Sequence, residues 1–369
     1  KNRAAITIAS VILWWGCVLY AAQESTRSWL LWTMAAMLAL QGSVALGQFL
    51  CQGSLGLPAW LEVSLDPSMQ GVSVIEAAGR RWLRAYGLTP HPNVLGGYLA
   101  MGLLASVGCA SELYRERGRA PRGWPLLAVA LGLGLGGLLV SFSRSAWLGA
   151  LAGGVLAMAL LRPWNAWWRM ARSQRRVQVI LVLVVKGALL TCVLLRDLLA
   201  TRLFHPGNPL ESASIRERLE DYGLAWGLIR SHPWQGVGPW NYVAALWATV
   251  GADKGPGYPG FRTVHSAPLL AAAELGVFGG LLWLTWLLAP IVVLLMRVRR
   301  VGRRGITMTQ AFLAGAFLCA LIISLLDVYL YLPVVSLLPG AFLGVLQGAW
   351  ASAWWQRDEA TEERCAATL

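Results

Sequence analysis

An all-α polytopic membrane bundle is the fold class this sequence predicts, on three observations. Of its 369 residues 57% are hydrophobic and only 13% charged, with a mean hydropathy of +0.55, a balance outside that of soluble domains. Apolar runs long enough to cross a bilayer as helices recur along the chain. The basic residues behind the net charge of +13 gather in short loops between those runs, as topology signals facing anionic headgroups do. That placement points to a lipid bilayer as the partner, and no nucleic acid.

Taken in order, the apolar segments lie at 4–22, 29–50, 93–110, 125–141, 146–161, 177–199, 266–296, 306–326 and 329–350, which makes about nine transmembrane helices. The segment starting at Ser266 is longer than a bilayer needs, so it tilts or starts outside. Arginine-rich loops contain Arg115 to Arg122, Arg162 to Arg176 and Arg297 to Arg304. All three fall on one side of the count, which the positive-inside rule makes cytoplasmic. Residues 51–92, the turn at 142–145, residues 200–264 and the turn near Asp327 then face outward. The expected organisation is a single bundle over 1–369 with a first outer loop at 51–92 and a large one at 200–264. This count also puts the basic start at Lys1 outside. An N-terminally truncated chain, with twelve helices in full, would resolve that conflict.

The large outer loop carries its own structure signals. Residues 214–230 read as an amphipathic helix capped by Ser212 or Ser214, and Gly236, Gly238 and Pro239 then force a turn. Loops of this length with internal structure are usually functional. The six cysteines are scattered, without C-x-x-C spacing or a paired framework, so neither zinc nor a disulfide scaffold is indicated.

Several residues stand out as carriers of chemistry. His265 and Ser266 mark the junction between the large loop and a span, and Gly276 and Gly279 complete the pattern H-S-x9-G-x-x-G. On one continuous helix, positions 265, 269, 272 and 276 would share a face, setting the imidazole above a seam of small residues. Arg144, in SFSRSAW, lies in an outward turn where the topology signal does not want positive charge. A snorkelling arginine is the bland reading, and an ionisable group with a partner at membrane depth the functional one. By charge pattern alone Arg216 and Arg218 form a solvated face with Glu217, Glu220 and Asp221. Glu274 is either a buried structural partner or an interfacial charge. Of the histidines at 91, 205, 232 and 265, only His265 does not precede proline. A lone histidine is more often structural than catalytic. No two histidines share ligand spacing on a helix and no Cys or carboxylate cluster accompanies them, so no metal is expected.

Four stretches together, TPHPNVLGGYLA, SFSRSAW, RLEDYGLAWGLIRSHPWQGVGPWNY and HSAPLLAAAELGVFGG, resemble the O-antigen ligase and polymerase superfamily of bacterial inner-membrane proteins. They occur in the family's order and on one membrane side. The resemblance implies a fold of the glycosyltransferase C type and a periplasmic active site. It further implies a polyprenyl (undecaprenyl) diphosphate-linked glycan donor, a hydroxyl acceptor such as lipid A-core, and no cofactor or metal. Carried over by motif, Arg144 and Arg218, with Arg216 as the alternative, would bind the donor diphosphate. His265 would be catalytic, with Ser266, Glu274, Gly276 and Gly279 in support. Ser266 departs from the asparagine many members have there.

The implied chemistry suits these residue types. Guanidinium groups bind phosphate oxygens bidentately and stay charged, and charge grows on the diphosphate as the glycosidic bond breaks. Histidine titrates near neutrality and can take the acceptor proton. Attack opposite the diphosphate would invert the anomeric carbon. A polysaccharide polymerase and a protein O-oligosaccharyltransferase would share these residues. A transporter of bicarbonate or another solute would show internal repeats and mid-membrane ionisable groups. No clear repeat is seen, and Lys186 is the only basic residue well inside a span.

Overall fold

The computed structural model describes residues 26–77, 79–117, 123–161, 175–204, 209–251, 261–303 and 306–328. Its elements are α1 (Thr26–Cys51), β1 (Val74–Ala77), β2 (Arg80–Leu83), α2 (Pro92–Arg117), α3 (Trp124–Val140), α4 (Arg144–Leu160), α5 (Arg175–Leu194), α6 (Arg196–Phe204), α7 (Pro209–Ser231), α8 (Tyr242–Val250), α9 (Ala267–Val301) and α10 (Met308–Leu326). The spans expected at 4–22 and 329–350 lie outside the described residues. The other seven fall on helices, with 177–199 divided at Leu195 into α5 and α6. Among the described residues, four stretches are long and apolar enough to cross a membrane: Ser28–Cys51, Pro92–Arg117, Ala267–Arg300 and Met308–Leu326. The chain is a mostly helical, multi-pass membrane protein.

Helix α10 packs against α4, α2 and α9, and α1 packs against α3 and α2. Lipid tails are as apolar as leucine, so helices in a bilayer associate through close packing rather than hydrophobic burial. Small residues permit that here. A Cβ on Gly153 of α4 would lie 2.3 Å from the Gly315 carbonyl oxygen of α10, and the reverse holds at the same distance. Leu95, Leu99, Met101, Leu313 and Phe317 fill the surrounding core. One end of α10 is closed by a capping box between Thr307 and Gln310, while the buried Glu112 of α2 accepts the Met308 N–H at 2.6 Å.

At the other end α7, α8 and the start of α9 form a second, smaller core around Ala225, Leu228, Ile229, Tyr242, Leu246, Leu270 and Ala273. The described part of the 200–264 loop is therefore a folded cap. Its helix α7 begins at Pro209, earlier than expected, so Ser212 and Ser214 sit inside it rather than capping it. Proline suits a first turn, where its missing N–H would have no intrahelical partner.

The 51–92 loop contains an antiparallel hairpin, with Val74 opposite Leu83 and Ala77 opposite Arg80. Two glutamines of α1 and Gln52 just beyond its end hold the last residue of β2 and the segment that follows. Gln52 Oε1 accepts the Leu83 N–H at 2.8 Å, Gln48 Oε1 accepts those of Tyr86 and Gly87 at 3.0 and 2.8 Å, and Gln41 Oε1 accepts that of Leu88 at 2.8 Å. Side-chain amides thus replace a strand partner for backbone groups that burial would otherwise leave unpaired.

Candidate functional site

The site begins at a break in α9. Gly276 has φ 76° and ψ 175°, a conformation essentially reserved for glycine, so the continuous helical face expected from 265 to 276 does not exist. His265 precedes the helix, Ser266 is extended at its N-cap with φ −160°, and Gly276 interrupts it two turns later. The physical reason is the HPWQGVG turn, whose backbone docks into the gap. The Val237 and Gly238 N–H groups bond the carbonyls of Ala273 and Glu274, each at 2.9 Å, and the Val277 N–H bonds that of Pro233 at 2.8 Å. A Cβ on Gly276 would lie 2.1 Å from the Trp234 carbonyl oxygen, and one on Gly236 2.3 Å from the Glu274 carbonyl carbon. Glu274 is buried, and its Oε1 lies 3.4 Å from the Tyr242 backbone N. It ties the turn to α8. Gly279 is buried in the continuing helix.

His265 is brought against α7. Its Nδ1 lies 3.0 Å from Asp221 Oδ2, and Tyr222 donates its hydroxyl to the His265 carbonyl at 3.2 Å. Arg218 stands one turn before Asp221 and Tyr222 on the same helix face, partly buried, whereas Arg216 is exposed. Two of the acidic neighbours expected for these arginines are engaged elsewhere, Asp221 with His265 and Glu217 with Arg262, each at 3.0 Å.

Arg144 is the first residue of α4, following a turn in which Phe142 is fully buried at φ 49°. A non-glycine residue held there is strained, and the surroundings must over-determine it. Arg202 of α6 supplies part of that constraint. Its Nε donates to the Phe142 carbonyl at 3.1 Å, and Arg144 Nη1 reaches the Arg202 carbonyl at 3.5 Å. Neither Arg202 nor its contact could be read from spacing.

Two further elements close the cluster. Buried Arg84, just after β2, donates through Nε to the Ser141 carbonyl at 3.0 Å and through Nη2 to Asn93 Oδ1 at 2.5 Å. Asn93 in turn donates to Asp327 Oδ2 at 2.5 Å, and the Asp327 carbonyl accepts the Ala267 N–H at 3.3 Å. The expected outward turn at Asp327 is therefore fully buried beneath the cap. His91 accepts the Asn93 N–H on Nδ1 at 3.1 Å, which leaves the ring proton on Nε2, 3.2 Å from Ser73 Oγ.

Electrostatics report the convergence. Burial holds the His91 imidazole well below its ordinary range, and the positive charges of Arg84, His265, Arg218 and Arg202 push it further the same way. Burial raises the Asp327 carboxyl, opposed by Arg218, His265 and the bond from Asn93. The guanidinium groups of Arg84, Arg202 and Arg218 thus share one neighbourhood with His265 and with the carboxyl groups of Asp221 and Asp327. Among the sequence-derived candidates, Arg218 and His265 lie within it and Arg144 adjoins it through Arg202. Arg216 is set apart by its exposure. Ser266 caps the helix that His265 precedes, and Glu274 and Gly276 lie where the turn docks into that helix. Arg84, Asn93, Arg202, Asp221 and Asp327 were not anticipated, although R-x-x-D at 218–221 is a helical-face signal. No group of three His, Cys, Asp or Glu able to hold a metal ion occurs among the described residues.

No curated protein matches the chain. Residues 126–284 match the family model described as O-antigen ligase, a stretch that includes Arg144, Arg202, Arg218, Asp221 and His265. That match supports the O-antigen ligase and polymerase superfamily for this part of the chain.

Proposed function

We propose that the protein is an O-antigen ligase-like glycosyltransferase, moving a glycan from a polyprenyl diphosphate carrier to a hydroxyl acceptor such as lipid A-core. The transfer takes place on the periplasmic face of the bacterial inner membrane. The observation that carries this reading is the pairing of His265 with Asp221 at 3.0 Å beside Arg218, in a cluster whose positive side chains outnumber its carboxylates.

In this reading Asp221 accepts the Nδ1–H of His265, fixes the ring tautomer and orients Nε2 toward the acceptor hydroxyl. Nε2 takes the hydroxyl proton as the acceptor oxygen bonds to the anomeric carbon. The bond from that carbon to the diphosphate breaks with inversion, and its electron pair leaves on the phosphate. Arg218 and Arg144, supported by Arg202, stabilise the growing charge more than the ground state. Guanidinium groups can supply that charge without a metal or other cofactor. Arg218 rather than Arg216 is assigned because it lies electrostatically against Asp327 and His91.

Purified protein supplied with a lipid-linked oligosaccharide and a lipid A-core acceptor tests the reading. Release of polyprenyl diphosphate together with glycosylated acceptor is expected. Solute uptake into proteoliposomes without such release would replace the enzyme with a transporter, and extension of the lipid-linked glycan alone would make it a polymerase.

A further inference from the structure

The segment joining α1 to the hairpin inverts the usual arrangement of a water-exposed loop. Between Cys51 and Leu65 the only charged residue is Glu62, and it is 5% exposed, while Trp60 at the tip is 81% exposed. Leu55, Leu57 and Val63 are exposed as well. Glu62 is turned inward because it serves the loop's own backbone. Its Oε1 accepts from Gln48 Nε2 at 2.9 Å and from the Leu55 N–H at 2.8 Å, and its Oε2 accepts the Leu57 N–H at 2.9 Å. Ser54 closes the neck, its N–H bonding the Leu65 carbonyl at 3.2 Å and its Oγ accepting the Leu65 N–H at 2.7 Å. The result is a compact loop with joined ends, fixed from within, whose outer surface is apolar.

Its position says what covers that surface. The loop turns back along α1 rather than away from it. A Cβ on Gly47 would lie 3.0 Å from Leu55 Cδ1, and Gly47 is one helical turn, about 6 Å, below the end of α1 at Cys51. The apolar tip is therefore continuous with the exposed apolar face of a membrane-length helix that includes Leu40 and Leu50. Exposed apolar surface that continues a lipid-facing span belongs in lipid, and tryptophan favours the depth of the headgroups.

We infer that residues 54–65 form a membrane-interface anchor, with Trp60, Leu57 and Leu55 seated among the lipids of the leaflet into which α1 emerges. The anchor holds the following hairpin and Arg84 at the bilayer surface, where a lipid-borne substrate would arrive. It stands independently of the proposed reaction.

The test uses the full chain, with its six native cysteines replaced, reconstituted in phosphatidylethanolamine and phosphatidylglycerol vesicles. An environment-sensitive fluorophore is attached at Trp60→Cys, at Leu57→Cys, or at Ser68→Cys as an exposed control on the same loop. At Trp60→Cys and Leu57→Cys, nitroxide-labelled lipids should quench emission several-fold more than aqueous iodide, with the reverse order at Ser68→Cys. Iodide quenching at Trp60→Cys and Leu57→Cys equal to that at Ser68→Cys overturns the anchor. Protection from both quenchers, as a second copy of the chain would give, overturns it too. Neither readout depends on activity, so loss of the proposed reaction would leave this result standing.

Discussion

His265 and Asp221 stand 44 residues apart in the chain, yet their side chains meet at 3.0 Å, joining the start of α9 to the middle of α7. If the pair acts as base and orienting carboxylate, His265→Ala should keep donor binding and lose turnover by about a hundredfold or more. His265→Gln should do little better, since an amide hydrogen-bonds but does not accept the proton. Asp221→Asn should lower kcat with little change in the KM for donor. Steady-state kinetics with lipid-linked glycan checks all three, and full activity in His265→Ala would remove the assigned chemistry.

Replacing Arg144 or Arg218 by Ala should cost on the order of 2 to 4 kcal/mol in the transition state, as for removal of a charge-assisted contact to developing charge. Lys should rescue only partly, because it lacks the bidentate fork. Arg202→Ala should resemble Arg144→Ala, since Arg202 bonds the carbonyl of the strained Phe142 beside it. Arg216→Ala should stay near the parent rate. Measured kcat/KM values in the opposite order, with Arg216 the costly position, would reverse the assignment.

Gly276→Ala should destabilise the cap by at least about 1 to 3 kcal/mol from backbone strain alone. The added Cβ would also displace Trp234, whose carbonyl oxygen it would meet at 2.1 Å. Thermal unfolding in detergent reads the loss, and an unchanged Tm would mean that the break in α9 is absent in solution.

His91 gives stability a defined pH dependence. The unfolded chain takes up a proton at this residue near the ordinary histidine value of 6.5, whereas the folded chain resists it to a much lower pH. Between those limits the unfolded state binds more protons. Stability therefore falls as pH drops below about 6.5, by at most about 1.4 kcal/mol per pH unit. His91→Asn can still accept the Asn93 N–H but does not titrate, so it should flatten the decline in Tm between neutral and mildly acidic buffer. An equal decline in both proteins would assign the effect elsewhere.

Much of the architecture was legible because its signals are local and additive. Apolar length marked the helices, arginine in short loops set their expected orientation, and the order of motifs around Arg144, Arg218 and His265 pointed to the family. The folded character of residues 200–264 was also visible in its helix and turn residues. Four-residue strands are too short to show a period, so the hairpin at 74–83 was missed. The break at Gly276 was hidden because a glycine within an apolar run reads as a packing residue until the turn that enters the gap is known.

The sequence by itself determined that this chain is a helical membrane bundle and which residue types the connections between its helices present. Only the tertiary structure decided which of them meet: His265 with Asp221, Arg144 with Arg202, and Arg84 with Asn93 and Asp327. Hydrophobic length and loop charge are properties of a segment and survive without its neighbours. A side-chain pair depends on which helix ends come together. Here that is set by backbone contacts such as Gly153 against Gly315 and by the docking of one turn into another helix, neither of which has a counterpart in linear spacing.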